Sequence, residues 1–213
     1  MSKTSPTPIL GSVVAGILAG GKSTRMGRSK ALIELPTGGT VIERAVQVAR
    51  QITDEVVVLG REIRLPASLE ELTVVDDEKP DGGPLAGLCS LLKCADPGWG
   101  LLLACDMPYI ESAVIRRLMA QADPDTDAVV FERTDRRGSY HACCALYHSR
   151  IARAPVENRA QLAPAFEVLF DGDASLNSLL KRIRVKAIKP TPEESRQLHN
   201  VNTPEDLAKM GPN

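Results

Sequence analysis

Short apolar runs alternate with amphipathic stretches along most of this chain, and this alternation constrains the fold more than any other feature of the sequence. The apolar runs at residues 12–18 and 100–105 have the length of strands, whereas residues 41–52 repeat their apolar side chains with the period of a helix. Such alternation is typical of a mostly parallel sheet with helices on both faces. We therefore predict a single Rossmann-like α/β domain.

The remaining elements are predicted from the same periodicity and from the turn residues between them. Residues 140–147 are expected to pair with the preceding strand as a hairpin across the polar turn 133–138, whereas 149–175 give no legible pattern. Strands are predicted at 12–18, 55–59, 72–75, 100–105, 127–131, 140–147 and 185–188, and helices at 41–52, 85–94, 110–122, 175–183 and 203–210.

Composition excludes several classes of function. The 213 residues carry 26 Lys and Arg against 27 Asp and Glu, so the chain lacks the positive charge of a nucleic-acid-binding protein. Three Phe, three Tyr and one Trp are too few for a base-stacking surface. No apolar run approaches the roughly 20 residues that span a bilayer. We expect neither nucleic acid nor a membrane as a partner.

Residues 1–9 lack the apolar segment of a secretory signal, and we predict a disordered tail there, followed by one domain over 10–213. The number of cysteines is odd, and their spacing matches no metal-binding motif. Reduced thiols in a cytoplasmic protein explain this pattern better than disulfides do. The cysteines are Cys89, Cys94, Cys105, Cys143 and Cys144.

A glycine-rich segment follows the first predicted strand directly. Gly20 and Gly21 leave main-chain N–H groups accessible at the carboxyl end of that strand, where α/β sheets bind their ligands. We therefore predict that this loop binds phosphate oxygens or the edge of a base. Four cationic residues follow in the same loop: Lys22, Arg25, Arg28 and Lys30.

The same segment also satisfies the P-loop pattern G-x-x-x-x-G-K-[ST], from Gly16 to Ser23. The strand of a P-loop ends at its first glycine, but here the apolar run continues past Gly16. A P-loop also needs a stable helix directly after Lys-Ser, and Gly27 would interrupt that helix within about one turn. We therefore do not interpret the segment as a P-loop.

Acidic residues follow two of the predicted strands. Asp106 directly follows strand 100–105 and lies too far before residue 110 to cap the helix predicted from there. Its position suits a carboxylate that holds Mg²⁺ against a triphosphate. Asp76 and Asp77 begin an acidic loop, where they could accept from a nucleobase or ribose or belong to a solvated turn. The helix start after Gly82 offers free amide donors that suit an anionic ligand.

Four motifs occur in order: Leu18-Ala-Gly-Gly-x-Ser-x-Arg-Met-Gly-x-x-Lys30, Gly83-Pro-Leu-Ala-Gly87, Cys105-Asp-Met-Pro-Tyr109 and Asn200-Val-Asn-Thr-Pro-Glu-Asp-Leu207. Together they resemble the nucleotidyltransferases of molybdenum cofactor maturation, specifically the molybdenum cofactor guanylyltransferases, over nearly the whole chain. The resemblance implies a fold of the nucleotidyltransferase type and Mg²⁺-dependent transfer of GMP from GTP to the terminal phosphate of molybdopterin, with release of pyrophosphate. It also implies other proteins of the cofactor pathway, or acceptor enzymes, as partners.

The resemblance further implies roles for individual residues. Lys30, Arg25 and Asp106 would be catalytic, Asp106 would hold the metal, and Asn200 and Asn202 would face molybdopterin. The register through Asp76 and Asp77 is ambiguous by one position. Ser29 replaces an Asp that is frequent in the family, and no nucleotide contact is expected at Gly60, where some relatives carry Asn. The implied GTP-binding residues are Leu18, Ala19, Gly20, Gly21, Lys30, Asp77 and Asp106.

Three alternatives stay open on the sequence alone. In a molybdopterin cytidylyltransferase the loop tends to read Leu-Ala-Ala-Gly and Arg-Phe-Gly, so Gly20 and Met26 favour guanine here. Sugar-1-phosphate nucleotidyltransferases share the loop, the lysine and the aspartate, but their chains are usually longer. A non-catalytic nucleotide-binding module would not need both Lys30 and Asp106. The oligomeric state, and whether the acceptor carries one or two molybdopterins or is already metallated, are not encoded in any motif.

Overall fold

A computed structural model describes residues 11–20, 30–61, 63–136, 138–153, 163–171 and 175–201, with only the main chain at Lys30 and Phe170. Within these residues seven strands form one sheet. The strands are β1 (Val13–Leu18), β2 (Val56–Leu59), β3 (Thr73–Val75), β4 (Trp99–Ala104), β5 (Ala128–Glu132), β6 (Tyr140–His148) and β7 (Val185–Ile188). The helices are α1 (Val41–Ala49), α2 (Gly83–Cys94), α3 (Ser112–Met119), α4 (Pro164–Phe170), α5 (Leu176–Leu180) and α6 (Pro192–Gln197).

The strand order is β3-β2-β1-β4-β6-β5-β7. β1 pairs in parallel with both β2 and β4, whereas β6 runs antiparallel to β4 and β5. The mostly parallel sheet and the β5–β6 hairpin are thus confirmed. The order reverses at β1, because β2 lies on one side of it and β4 on the other. This reversal creates the crevice in which α/β sheets bind ligands.

Helices cover both faces of the sheet, as the apolar runs predict. Ile17 and Leu101 point towards the face that α1 and α3 cover, whereas Val14 and Leu102 point towards α2, α4 and α5. Strands that are buried on both faces need apolar residues at consecutive positions, which explains the near-continuous apolar runs. Gly16 lies inside β1, where a Cβ atom would approach Leu59 Cδ1 to 2.6 Å, so this glycine serves packing and not a phosphate loop.

The predicted strands are confirmed to within a residue or two of their ends, whereas two short helices were missed. α4 falls in the stretch 149–175 without a legible pattern, and α6 has almost no apolar residues. The tail 1–9 and the helix predicted at 203–210 lie outside the described residues. No helix in the described part of the chain combines the length and the apolar character that a membrane span requires.

Candidate functional site

The crevice between β1 and β4 is lined by the loops that leave these two strands. The N–H of Ala19 donates to the carbonyl oxygen of Leu59 at 3.2 Å, and the N–H of Cys105 donates to that of Leu18 at 3.3 Å. These bonds extend the sheet by about one residue and bring the starts of both loops side by side. Leu18, Ala19 and Gly20 therefore lie next to the loop that carries Asp106, as the sequence predicts for a ligand-binding edge.

Gly20 packs against a second glycine, Gly60, which follows β2. A Cβ atom at Gly60 would lie 3.0 Å from Gly20 Cα and 3.1 Å from Gly20 N, so side chains cannot separate the two segments. Gly60 also has a φ of 137°, a conformation that favours glycine. Sequence reasoning gave Gly60 no role, whereas the structure shows that it supports the loop after β1.

Leu18, Asp77 and Gly87 meet on the α2 side of the crevice. Gly87 lies in the first half of α2, and a Cβ atom there would lie 2.8 Å from Leu18 Cδ2 and 3.5 Å from Asp77 Oδ1. The missing side chain lets a helix, a strand end and a carboxylate approach each other closely. The motif that contains Gly87 was noted for its amide donors, but its close approach to Leu18 was not foreseen.

The two neighbouring aspartates differ in environment. Burial raises the pKa of the Asp77 carboxyl, the charge of Asp76 raises it further, and Arg61 opposes both effects. Asp76 is exposed, and its main-chain oxygen accepts from Ser90 Oγ at 2.8 Å. Asp77 is thus the aspartate whose carboxylate reaches the crevice beside Gly87.

Asp106 is held by the segment that follows α6. The N–H of Val201 donates to the Asp106 carbonyl oxygen at 2.7 Å, and Asn200 Nδ2 donates to Asp106 Oδ2 at 3.1 Å. The N-cap position of α3 is occupied by Glu111, so Asp106 does not cap that helix. The side chain of Asp106 is half-buried at the carboxyl end of β4.

The carboxylate of Asp106 suits Mg²⁺, because this ion prefers hard oxygen ligands. The described residues contain no group of three or more His, Cys, Asp or Glu side chains that could enclose a metal ion. Mg²⁺ does not need such a cage, because it is commonly held by one or two carboxylates, by water and by the phosphates of its substrate. The Asp106 carboxylate therefore fits a metal that arrives with a nucleotide.

β6 brings further residues to the same edge, because Cys144 pairs with Leu103 near the end of β4. Burial raises the pKa of the Cys143 thiol to about 12, and the charge of the nearby Asp106 contributes. Burial also lowers the pKa of His141 to about 4, with Arg133 and His199 adding positive charge nearby and Asp135 opposing them. Sequence reasoning missed these residues, because the predicted hairpin places β6 beside β5 and does not reveal that β6 also pairs with β4.

Part of the predicted site cannot be compared with the structure. The main chain of Lys30 begins a short 3-10 helix over Lys30–Leu32, in which Ala31 is buried. Gly21, Arg25, Asn202 and the Lys30 side chain lie outside the described residues. The roles assigned to them by resemblance, and the contact of Asn200 with molybdopterin, stay predictions.

Solved structures with the same architecture show which fold this chain adopts. A nucleotidyl transferase from Methanothermobacter thermautotrophicus superposes with a TM-score of 0.68 and 22% identity, covering 93% of this chain and 95% of its own. The molybdopterin-guanine dinucleotide biosynthesis protein A of Archaeoglobus fulgidus gives a TM-score of 0.70 at 21% identity, covering 92% of this chain and 95% of its own. The fold is therefore that of the nucleotidyltransferases, as predicted.

Sequence comparison identifies the family within that class. Residues 15–187 match the model of the MobA-like NTP transferase domain. A probable molybdenum cofactor guanylyltransferase from Opitutus terrae is 35% identical over 92% of this chain and 93% of its own length. A molybdenum cofactor guanylyltransferase from Pseudomonas syringae is 30% identical over 88% of both chains. The chain belongs to the MobA-like NTP transferase family, which confirms the resemblance seen in the four motifs.

Proposed function

We propose that this protein transfers GMP from GTP to the terminal phosphate of molybdopterin, forming the molybdopterin guanine dinucleotide and pyrophosphate. One observation carries the proposal. The sheet edge where Leu18 lies near Asp77 and beside the loop of Asp106 belongs to a chain matched over 92% of its length by a relative named as a probable molybdenum cofactor guanylyltransferase. A nucleotide laid along this edge would meet Asp77 beside α2 and Asp106 beside β4.

Binding of the nucleotide would use the bare main chain and the Asp77 carboxylate. The main chain at Ala19 and Gly20 has no bulky side chain between it and the crevice, so a base edge or phosphate oxygen can approach it closely. The Asp77 carboxylate would accept hydrogen bonds from guanine or from the ribose. Burial raises the pKa of Asp77 and so disfavours its ionised form. A hydrogen-bond donor on the nucleotide would oppose this effect, because it stabilises the carboxylate.

Asp106 would hold Mg²⁺, which when bound supplies positive charge against the triphosphate. The acceptor is a phosphate monoester with a second pKa of about 6, so it is already a nucleophile at neutral pH and needs no general base. Its oxygen forms the new bond to the α-phosphorus of GTP, and the bond to pyrophosphate breaks. Lys30 and Arg25 would stabilise the charge on the phosphates, and Asn202 would face the molybdopterin.

A reducing compartment, the cytoplasm, would suit such a protein, because all five of its cysteines are free. The proposed product is consumed by proteins that carry the cofactor, so pathway proteins or acceptor enzymes are the partners we propose.

The first test measures nucleotide binding by calorimetry in the presence of Mg²⁺. We expect GTP to bind more tightly than CTP or ATP, and Asp77→Asn to weaken GTP binding about tenfold, the effect of losing a charged hydrogen bond. Asp76→Asn is the matched control, because the neighbouring carboxylate is exposed and should leave the affinity unchanged. If CTP bound more tightly than GTP, the proposed reaction would be cytidylyl transfer and not guanylyl transfer. Equal effects of the two substitutions on GTP affinity would contradict the assignment of Asp77.

The second test measures pyrophosphate release with GTP and molybdopterin as substrates. Lys30→Ala and Asp106→Ala should each lower turnover by at least about a hundredfold, because each removes a group aimed at developing charge. Both variants should unfold at nearly the temperature of the wild-type protein. Unchanged turnover in both would refute the proposed function.

A further inference from the structure

The segment that ends with Asn200 and Val201 is firmly attached to the rest of the fold. Leu198 is fully buried, Val201 is 3% exposed, and Gln197 Oε1 accepts from the N–H of Glu111 at 3.2 Å. Glu194 of α6 pairs with Arg117 of α3. These contacts fix the segment against α3 and against the connection between β4 and α3.

Two consecutive residues of this segment hold two different parts of Asp106. The main-chain bond from Val201 fixes the backbone at residue 106, and the side-chain bond from Asn200 reaches the carboxylate. The terminal torsion of an aspartate is broad and roughly two-fold, so a bond to the backbone does not by itself set the direction of the carboxylate. The amide of Asn200 restrains this torsion, because it donates to Oδ2.

We propose that Asn200 is a positioning residue, which orients the Asp106 carboxylate for Mg²⁺ and is not primarily a contact of the acceptor. An uncharged amide suits this role, because it donates a hydrogen bond without neutralising the carboxylate that attracts the cation. Outer residues that orient the ligands of a metal commonly change metal affinity by about 10- to 100-fold when they are mutated. The inference rests on the proposed function through the role of Asp106.

The two roles of Asn200 predict opposite kinetic changes. If Asn200 contacts the acceptor, its removal would raise the KM for molybdopterin and leave the metal affinity unchanged. If Asn200 positions Asp106, its removal would weaken metal binding and lower kcat, while the KM for molybdopterin would stay the same. Binding of GTP in the presence of EDTA should not change, because the nucleotide contacts proposed above lie around Leu18 and Asp77.

The test measures Mn²⁺, a paramagnetic substitute for Mg²⁺, by electron paramagnetic resonance on the full-length protein with GTP. We expect Asn200→Ala to weaken Mn²⁺ binding by at least about tenfold. Asn200→Leu, which keeps the branched shape of the side chain without a donor, should do the same. Asn177→Ala is the matched control, because it removes the amide of an exposed asparagine in α5, and it should retain the wild-type Mn²⁺ affinity.

Each outcome bears on one of the two proposals. Wild-type Mn²⁺ affinity in Asn200→Ala together with a higher KM for molybdopterin would overturn the inference, as would an equal loss in Asn177→Ala. If Asp106→Ala also kept the wild-type Mn²⁺ affinity, the metal role of Asp106 itself would fail, and with it part of the proposed function. Loss of Mn²⁺ in Asp106→Ala without loss in Asn200→Ala would refute the inference alone.

Discussion

Gly87→Ala should weaken nucleotide binding with little change in the stability of the protein. The new Cβ atom would lie 2.8 Å from Leu18 Cδ2 and 3.5 Å from Asp77 Oδ1. Carbon atoms prefer separations of about 3.5–4.0 Å, so the Leu18 side chain must move by roughly 0.7 Å or more, whereas the contact with Asp77 is tolerable. The substitution therefore displaces one proposed nucleotide contact and crowds another.

The effects of Gly87→Ala on stability partly cancel. Alanine stabilises a helix interior by about 1 kcal/mol relative to glycine, and overpacking of a buried site costs about 1–3 kcal/mol. Because the crowded atom is the end of a leucine side chain, we expect the cost to lie near the lower limit. The free energy of unfolding should then change by less than about 1 kcal/mol, while a displaced contact of about 1.4 kcal/mol corresponds to tenfold weaker GTP binding.

Calorimetric titration with GTP, paired with urea denaturation, measures both quantities. The matched control is Gly100→Ala at the other end of the sheet, where the new Cβ atom would lie 3.0 Å from both Leu91 Cδ2 and Leu91 Cγ. This variant should lose stability and keep the wild-type affinity for GTP. If Gly87→Ala bound GTP as tightly as the wild-type protein, Leu18 and Asp77 would not form the nucleotide site.

Two further substitutions test the backbone and the charges of the fold. Gly60→Ala should lower the free energy of unfolding by about 1–3 kcal/mol, since φ is 137° and a Cβ atom would lie 3.0 Å from Gly20 Cα; wild-type stability in urea would contradict this close approach. Burial opposes ionisation of Asp127, but hydrogen bonds from Arg184 and the charge of Arg150 outweigh it and lower the pKa. The stabilisation is therefore present above the unfolded pKa of about 3.9 and is lost as the pH falls through the lower folded pKa. Asp127→Asn should cost about 1–2 kcal/mol at pH 7 and progressively less below pH 4, and a difference that does not vary with pH would refute the ion pair.

The sheet was predictable because its signal is local. The central parallel strands β1, β2 and β4 are largely buried and so carry continuous apolar runs, and α1 carries a full helical period over Val41–Ala49. The six residues of α6 read Pro-Glu-Glu-Ser-Arg-Gln, which offers no apolar stripe. The local signals of this helix lie at its ends: the capping box formed by Thr191 and Glu194, and Pro192 in the first turn. Short polar helices are fixed by tertiary contacts, which periodicity does not report.

The site was predictable to the extent that its residues follow strands. Asp106 and Gly20 could be placed because the carboxyl ends of parallel strands share one edge of the sheet. The contact of Asn200 with Asp106 joins residues 94 positions apart, and no spacing rule connects them. The pairing of Leu18 with Leu59 would have placed Gly20 and Gly60 side by side, but it requires the strand order, which the sequence did not supply.

The candidate site has two parts, which different segments of the chain build. A double substitution can test whether the two parts act independently. Leu18, Asp77 and Gly87 form the part beside α2, where a Cβ atom at residue 87 would meet Leu18 and Asp77. Asp106 and Asn200 form the part beside β4, where the Asn200 amide donates to Asp106. Substitutions without shared partners are usually additive within about 0.5 kcal/mol. The double variant Gly87→Ala/Asn200→Ala should therefore weaken GTP binding in EDTA only as much as Gly87→Ala does. Any larger loss in EDTA would show that Asn200 supports the nucleotide directly, because no metal is present to transmit its effect.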